Sequence, residues 1–136
     1  MLKEKGSGLG AYPNLAGCCV LVAEDEYLIA REISNALREH GADILGPCPE
    51  MDMAFRMLDD PERIDGAIVD LNLRGQLAID LAEALQDLGI GLVIATGYDP
   101  SILPAGLRKV PRCTKPFNFE QMVQTLHREI AQETRH

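Results

Sequence analysis

The run Gly66-Ala-Ile-Val-Asp70 is apolar until it stops on a carboxylate. Such a run is typical of a strand buried on both faces of a parallel sheet. Three more strand-like runs end on polar residues: 20–23 on Glu24-Asp25-Glu26, 92–95 on Thr96, and 110–114 on Lys115-Pro116. In an open α/β sheet the carboxyl ends of the strands share one edge, where ligands bind. We therefore expect acids, a hydroxyl and a lysine to meet at that edge.

The composition predicts one globular domain. The chain has 136 residues, of which 46% are hydrophobic, and this is enough to bury a core. Its net charge of −8 argues against general nucleic-acid binding, because such a surface repels phosphate. We see no signal peptide and no apolar run of about 20 residues, so we expect no membrane span and a cytoplasmic location.

The alternation of elements predicts an α/β fold. Strand-like runs indicate strands over 18–23, 42–45, 66–70, 92–96 and about 109–114. Helical patterns indicate helices over 27–40, 51–58, 76–88 and 119–133. Asn118 is the expected N-cap of the last helix, with Gln121 as its capping-box partner. We expect a flavodoxin-like five-stranded parallel sheet of order 2-1-3-4-5, with helices on both faces. Pro100 and Pro104 predict a fourth helix that is short or replaced by a loop.

The sequence also predicts how the chain is divided. Residues 1–17 mix charged residues, several glycines and Pro13, and we interpret them as a flexible leader before a domain over 18–134. The four cysteines form no CxxC motif. We interpret them as small hydrophobic residues of a protein in a reducing compartment, with a metal or redox role as the alternative. The histidines His40, His127 and His136 show no metal or phosphorelay spacing, and we interpret them as surface residues.

The predicted strand order brings three carboxylates together. The first and third strands are neighbours in the order 2-1-3-4-5, so Glu24 and Asp25 should lie close to Asp70. Like charges at that distance oppose ionisation unless a cation is present. Mg²⁺ takes one or two carboxylates together with waters and phosphate oxygens. We predict Asp25 and Asp70 as direct ligands, Glu24 as the holder of a metal-bound water, and the carbonyl of Asn72 as a further ligand.

With its charge shielded by the metal, Asp70 could attack phosphorus and form an aspartyl phosphate. The phosphoryl oxygens would then be bound by the Lys115 ammonium, the Thr96 hydroxyl and backbone N–H groups. Each of these residues has an ordinary structural explanation when taken alone. The joint occurrence at four strand ends in the correct order carries the hypothesis.

The motifs at these strand ends resemble the receiver domain of two-component response regulators. They are Val-Leu-Val-Ala-Glu-Asp-Glu over 20–26, Ile-Val-Asp-Leu-Asn-Leu over 68–73, Ile-Ala-Thr-Gly over 94–97 and Thr-Lys-Pro-Phe over 114–117. The resemblance implies that a sensor histidine kinase or phosphotransfer protein transfers a phosphoryl group to Asp70, followed by a conformational switch. The sequence also resembles a single-domain subgroup of receivers that has a Phe-Ala-Thr-Gly-Tyr signature. This chain has Ile94 where that signature has Phe. The implied output is contact with a protein partner that the sequence does not identify.

Two features depart from the pattern that receivers show. Receivers usually have an aromatic switch residue three positions before the lysine, where this chain has Arg112. We interpret Arg112 as a solvated charge on an edge strand. The sharper hypothesis is that residues 97–111 form a lid that orders on phosphorylation, with Tyr98 either covering the site or packing within the loop.

Other functions remain open. A pseudo-receiver would keep the fold without phosphorylation, and the complete set of site residues argues against it. A haloacid-dehalogenase-type phosphatase requires a second acid two residues after the nucleophile, where this chain has Asn72. A P-loop hydrolase requires a GxxxxGK[ST] motif, which does not occur in the sequence. We therefore expect no enzymatic turnover beyond the protein's own phosphorylation and dephosphorylation.

Overall fold

The computed structural model describes residues 13–97 and 102–133. Strands and helices alternate through most of this part of the chain. The strands are β1 (Cys19–Ala23), β2 (Asp43–Cys48), β3 (Gly66–Asp70), β4 (Asn72–Leu73), β5 (Gln76–Leu77), β6 (Gly91–Thr96) and β7 (Arg112–Thr114). The α-helices are α1 (Tyr27–Glu39), α2 (Met51–Met57), α3 (Ile79–Asp87) and α4 (Phe119–Glu133).

The main sheet is parallel and five-stranded, in the order β2-β1-β3-β6-β7. When only the five strands of this sheet are numbered along the chain, the order is 2-1-3-4-5, as predicted. β1 pairs with β3 through Val20 opposite Gly66, and β3 pairs with β6 through Asp70 opposite Ala95. The flavodoxin-like prediction is therefore confirmed, and the polar ends of β1, β3 and β6 lie side by side.

Each face of the sheet is covered by helices, as predicted. Side chains alternate along a strand, so Leu21 and Ile94 pack with α2 and α3, whereas Val20 and Val93 pack with α1 and α4. Two apolar clusters result, one on each side. The strands β3 and β6 are buried along their whole length, which explains their continuous apolar sequence.

A pair of glycines brings α4 close to the sheet. Gly66 on β3 lies opposite Gly91 on β6, and both face Ile130 of α4. A Cβ atom at Gly91 would come within 2.8 Å of the Ile130 backbone nitrogen, and one at Gly66 within 2.7 Å of the Ile130 Cδ1. Hydrogen is therefore the only side chain that fits at Gly91 without displacing the helix backbone.

The structure corrects the bounds of three predicted elements. β2 continues to Cys48, through Gly46 and Pro47, because it is an edge strand and only one side of it must donate to a neighbour. β7 begins at Arg112, later than the predicted start at 109. The third helix begins at Ile79 instead of Gln76, because Gln76–Leu77 pairs with Asn72–Leu73 as an antiparallel hairpin.

The segment that would hold a fourth helix contains none within its described residues, 97 and 102–111. A 3₁₀ turn over Ala105–Leu107 is its regular element. Leu103 and Leu107 are nevertheless buried at 2% and 0% exposure, on the same side of the sheet as α2 and α3. The expectation of a loop is confirmed for these residues, and the loop contributes to the core.

Residues 13–17, which we assigned to a flexible leader, contact the domain. Leu15 is fully buried beside Ile33 and Leu37 of α1, and its N–H donates to the carbonyl of His40 at 2.7 Å. The His40 side chain is also fully buried, between the carbonyl of Pro13 at 2.8 Å and Glu120 of α4 at 3.0 Å. The interpretation of His40 as a surface residue is therefore wrong. Residues 1–12 lie outside the described residues, and the division at residue 17 stays a prediction.

The N-cap predicted at Asn118 is confirmed. The Asn118 Oδ1 accepts the Gln121 N–H at 3.0 Å, as expected of an N-cap. All four cysteines are free, and burial raises the pKa of each thiol, which suits small hydrophobes. None of the helices in the described ranges is long and apolar enough to cross a membrane.

Candidate functional site

Four carboxylates meet at the carboxyl edge of the sheet. Glu24, Asp25 and Glu26 follow β1 directly, and Asp70 is the last residue of the neighbouring strand β3. One oxygen of each carboxylate lies within 4.8 Å of an oxygen of the others. The sequence predicted three members of this acidic cluster and missed Glu26, because three consecutive acids do not show which of them turn inward.

Glu24 is the most deeply buried of these acids, with 2% of its surface exposed. Its Oε2 accepts the Glu26 N–H at 3.0 Å, whereas its Oε1 has no hydrogen-bond partner among the described residues. Burial, and then the nearby Asp70 carboxylate, raises the pKa of Glu24 to about 8. A buried carboxyl oxygen without a partner among the described residues is a group that a bound cation would satisfy.

Asp70 is 3% exposed and has two different partners. Its Oδ1 accepts the Asn72 N–H at 2.9 Å, and its Oδ2 lies 3.5 Å from the Lys115 Nζ. Thr96 is buried one residue beyond Ala95, the residue that pairs with Asp70. The structure thus brings Asp70, Thr96 and Lys115 to one edge, as the strand order predicts.

Lys115 lies closer to Glu26 than to Asp70. Its Nζ is 2.6 Å from the Glu26 Oε2, and its side chain is one-third exposed. Burial alone would lower the pKa of Lys115, but the bond to Glu26 and the charges of Asp70 and Glu24 outweigh burial and raise it. The lysine is therefore a full positive charge that neutralises part of the acidic cluster.

The β4–β5 hairpin contacts the segments after β1 and β2 that carry Asp25 and Glu50. The sequence did not predict this hairpin. The N–H of Arg74 donates to the Asp25 Oδ2 at 2.9 Å, and its guanidinium pairs with Glu50 at 2.7 Å. Arg74 and Gly75 both have positive φ, of 52° and 84°. This fits a two-residue hairpin turn of type I′, for which the Arg-Gly pair was a weak sequence signal.

The donor set fits a divalent oxygen-seeking cation. Four carboxylates face one ammonium, and the buried Glu24 Oε1 remains without a partner in the described part of the chain. Mg²⁺ prefers such oxygens. The residues positioned to hold it are Asp25 and Asp70, with Glu24 beside them, and the predicted contribution of the Asn72 carbonyl stays a prediction.

The remaining predicted features lie at the margin of the site or beyond it. Arg112 is exposed on β7, and its Nη1 donates to the carbonyl of Arg108 at 3.1 Å. Tyr98 and Pro100 lie outside the described residues, as does His136, so the lid hypothesis stays a prediction. His127 is half-buried within α4.

Comparison of the sequence with models of protein families and with curated proteins finds no match. Solved structures do match. A response regulator receiver domain protein from Clostridium thermocellum has a TM-score of 0.73 at 18% identity, and the match covers 86% of this chain and 97% of that one. The receiver domain of a Francisella response regulator has a TM-score of 0.66 at 22% identity, covering 85% of this chain and 98% of that one.

The fold is that of a response regulator receiver domain. The receiver fold also matches PhyR from Bartonella quintana, described as an anti-anti-sigma factor, with a TM-score of 0.74 at 24% identity. That match covers 90% of this chain and 52% of the longer PhyR chain. At these identities the likeness shows the fold, and the receiver fold places the acidic cluster at the sheet edge where α/β proteins bind ligands.

Proposed function

We propose that this receiver-fold protein acts as a response regulator that accepts a phosphoryl group on Asp70. The donor would be a sensor histidine kinase or a phosphotransfer protein. The observation that carries the proposal is the environment of Asp70. It is a buried carboxylate at a strand end, with an ammonium at 3.5 Å and three further carboxylates around it.

The transfer is a simple displacement at phosphorus. An oxygen of Asp70 forms a new P–O bond while the P–N bond of a phosphohistidine breaks, and the electron pair of that bond stays on the imidazole nitrogen. The Lys115 ammonium and the Thr96 hydroxyl are the groups available to bind the phosphoryl oxygens. Because Lys115 pairs with Glu26 at 2.6 Å, an exchange of partner from Glu26 to the phosphoryl group is the expected local response.

Mg²⁺ held by Asp25 and Asp70 would supply positive charge next to the phosphoryl oxygens. Glu24 contributes a third acid, and the Asn72 carbonyl lies on the residue whose N–H already bonds Asp70. The Arg74 N–H fixes the orientation of the Asp25 carboxylate. These contacts leave the acids oriented and close together before a cation arrives.

The output in this proposal is contact with a protein partner after a conformational switch. The likeness to PhyR, described as an anti-anti-sigma factor, supports a role in protein contact. No turnover of an external substrate is proposed. Two residues after Asp70 the chain has Asn72, which cannot serve as a general acid. We place the protein in the cytoplasm, where its proposed donors act.

The test is the intact mass of the protein after incubation with Mg²⁺ and acetyl phosphate or phosphoramidate. We expect one added phosphoryl group in the wild type, none in Asp70→Asn, and none when a chelator is present. Asp80→Asn is the matched control, because Asp80 is an exposed acid in the first turn of α3 and should leave the adduct unchanged. A wild type without adduct that also fails to bind Mg²⁺ would favour a pseudo-receiver. An adduct that persists in Asp70→Asn would assign the phosphoacceptor to another residue.

A further inference from the structure

A groove runs along α1 beside the acidic cluster. Its volume is about 490 Å³, within the usual range of small-molecule sites. One wall is α1, which contributes Ala30, Arg31, Ser34 and Arg38, and the other includes Pro47 and Pro49 around the end of β2. Glu24, Asp25 and Arg74 also line the groove, and the Arg74 guanidinium is paired with Glu50 at 2.7 Å.

The two α1 arginines of the groove have no acidic partner among residues 13–97 and 102–133. Neither guanidinium forms an ion pair or a hydrogen bond with any of the described residues, 13–97 and 102–133. The sequence of α1 explains this, since the positions three and four residues from Arg31 and Arg38 within the helix are Tyr27, Leu28, Ser34 and Asn35. In a chain of net charge −8, two unpaired arginines on one helix face form a local positive patch.

A buried hydroxyl lies between these arginines. Ser34 lines the groove with 1% of its surface exposed, and its Oγ has no hydrogen-bond partner in the described part of the chain. A buried hydroxyl without a partner is unfavourable, and native proteins generally satisfy such groups. An oxyanion held by either arginine would offer an acceptor to this O–H through a small adjustment of the groove wall.

We propose that this groove binds an organic oxyanion, a small molecule that carries phosphate or carboxylate groups on an apolar or planar body. Arg31 and Arg38 are two helical turns apart, about 10.5 Å along the axis, so a ligand that engages both is larger than inorganic phosphate. The guanidinium groups match the geometry of phosphate and carboxylate oxygens. The body of the ligand packs against Ala30, Pro47 and Pro49.

The charges also fix the orientation of the ligand. In the metal-free protein the Asp25 carboxylate repels anionic groups, so these groups lie towards Arg38. The proposal goes beyond the phosphorylation of Asp70 and does not depend on it. A bound ligand would lie next to the acidic cluster and could alter how a donor protein approaches it.

The experiment is a titration of the ¹⁵N-labelled protein followed by NMR, in metal-free buffer with a chelator. There are three probes. ADP is an organic phosphate with a planar body, citrate is a carboxylate without such a body, and the third probe is inorganic phosphate. We expect saturable shifts confined to residues 30–38 and Cys48 with ADP, and weaker binding of citrate, which has no body to pack against Ala30, Pro47 and Pro49. Inorganic phosphate should bind at least about tenfold more weakly, because it can engage one arginine at a time.

The decisive variant is Arg31→Gln/Arg38→Gln, which keeps helix propensity close to that of arginine. We expect at least a tenfold loss of affinity for the better probe, and a smaller loss, about threefold to tenfold, in Ser34→Ala. Arg128→Gln, an exposed arginine on α4, is the matched control and should bind as the wild type does. Circular dichroism of the double variant verifies that it is folded.

Three outcomes would overturn the proposal: no saturable shifts with ADP or citrate, equal affinity in the double variant, or binding of an acidic peptide in the absence of small-molecule binding. The last would assign the groove to a protein partner. Repeating the titration with Asp70→Asn separates this proposal from the phosphorylation function, because that variant cannot be phosphorylated on Asp70 and should bind the probe unchanged.

Discussion

The central and edge strands of the main sheet differ in burial and in the site residues that they carry. The central strands are β1, β3 and β6, and the edge strands are β2 and β7. β3 and β6 are buried along their whole length, whereas β7 is exposed or half-buried and most of β2 is as well. The central strands deliver the acids and Thr96, and the edge strands deliver Lys115 and one wall of the α1 groove. Rigid strands thus hold the reacting carboxylate, and less constrained elements hold the groups that could change partner.

The difference follows from the number of neighbours that each strand has. A central strand is paired on both sides and covered on both faces, so a displacement of its end must move four neighbouring elements. An edge strand is paired on one side only. The comparison predicts that substitutions in the centre act on stability and that substitutions at the edge act locally.

The largest effect is expected at Gly91 on β6. Gly91→Ala places a Cβ within 3.0 Å of three backbone atoms of α4, so the helix must move away from the sheet. We expect a loss of about 3 kcal/mol in the free energy of unfolding, measured by urea denaturation. Gly106→Ala is the matched control, because nothing lies within 4 Å of its added Cβ, and it should change stability by less than about 0.5 kcal/mol. Equal effects of the two substitutions would contradict the contrast between centre and loop.

The sequence allowed the central region to be predicted because its signals are local. The runs that end on Asp70 and Thr96 define strand, burial and site residue together. The margins could not be predicted in this way. The burial of His40 depends on Pro13 and Glu120, which are 27 and 80 residues away in the chain. A histidine at the end of a helix carries no local signal for such contacts.

The hairpin and Glu26 were missed for different reasons. The periodicity of residues 76–88 continues a helical pattern, and pairing of Gln76–Leu77 with Asn72–Leu73 overrides it. Glu26 follows two other acids, and its contact with Lys115 spans 89 residues. The hairpin is local, but its sequence signal, Arg74-Gly75, is weak, whereas the contact of Glu26 is not specified by nearby residues.

A smaller effect is expected at the N-terminal margin. Leu15→Ala removes a fully buried side chain next to Ile33 and Leu37, and we expect a loss of about 2 kcal/mol in the free energy of unfolding. The value lies at the low end for such changes, because residues 13–17 can detach without unfolding the sheet. Urea denaturation and amide exchange of the Leu15 N–H, which bonds His40 at 2.7 Å, would measure it. A loss below about 0.5 kcal/mol would support the flexible leader of our first interpretation.

The acidic cluster should respond in the opposite direction. Glu24→Gln is expected to stabilise the metal-free protein by about 1 kcal/mol at pH 8.5 and to have little effect at pH 5. The reason is the sign of the pKa shift. Because the pKa of Glu24 is raised to about 8, the folded state binds more protons than the unfolded state between its ordinary pKa and 8. Stability contributed by Glu24 therefore falls as the pH rises through that interval.

Urea denaturation of both proteins at the two pH values, in chelator, measures this difference. Millimolar Mg²⁺ provides the internal control, because it should stabilise the wild type more than Glu24→Gln if Glu24 lies beside the cation. A variant that is less stable than the wild type at pH 8.5 without metal would show that the buried carboxylate is satisfied in solution.

The smallest effect is expected at Arg112, on the edge strand β7. Its side chain is exposed, and its hydrogen bond to the Arg108 carbonyl at 3.1 Å competes with water. Arg112→Ala should therefore change the free energy of unfolding by less than about 0.5 kcal/mol and leave the extent of phosphorylation by a small-molecule donor unchanged. Urea denaturation and intact mass test both statements on one sample. A normal stability combined with an altered phosphorylation level would mean that β7 influences Asp70 through Lys115. The division between a rigid centre and a locally acting edge would then be wrong at Arg112, the position where receivers usually have an aromatic residue.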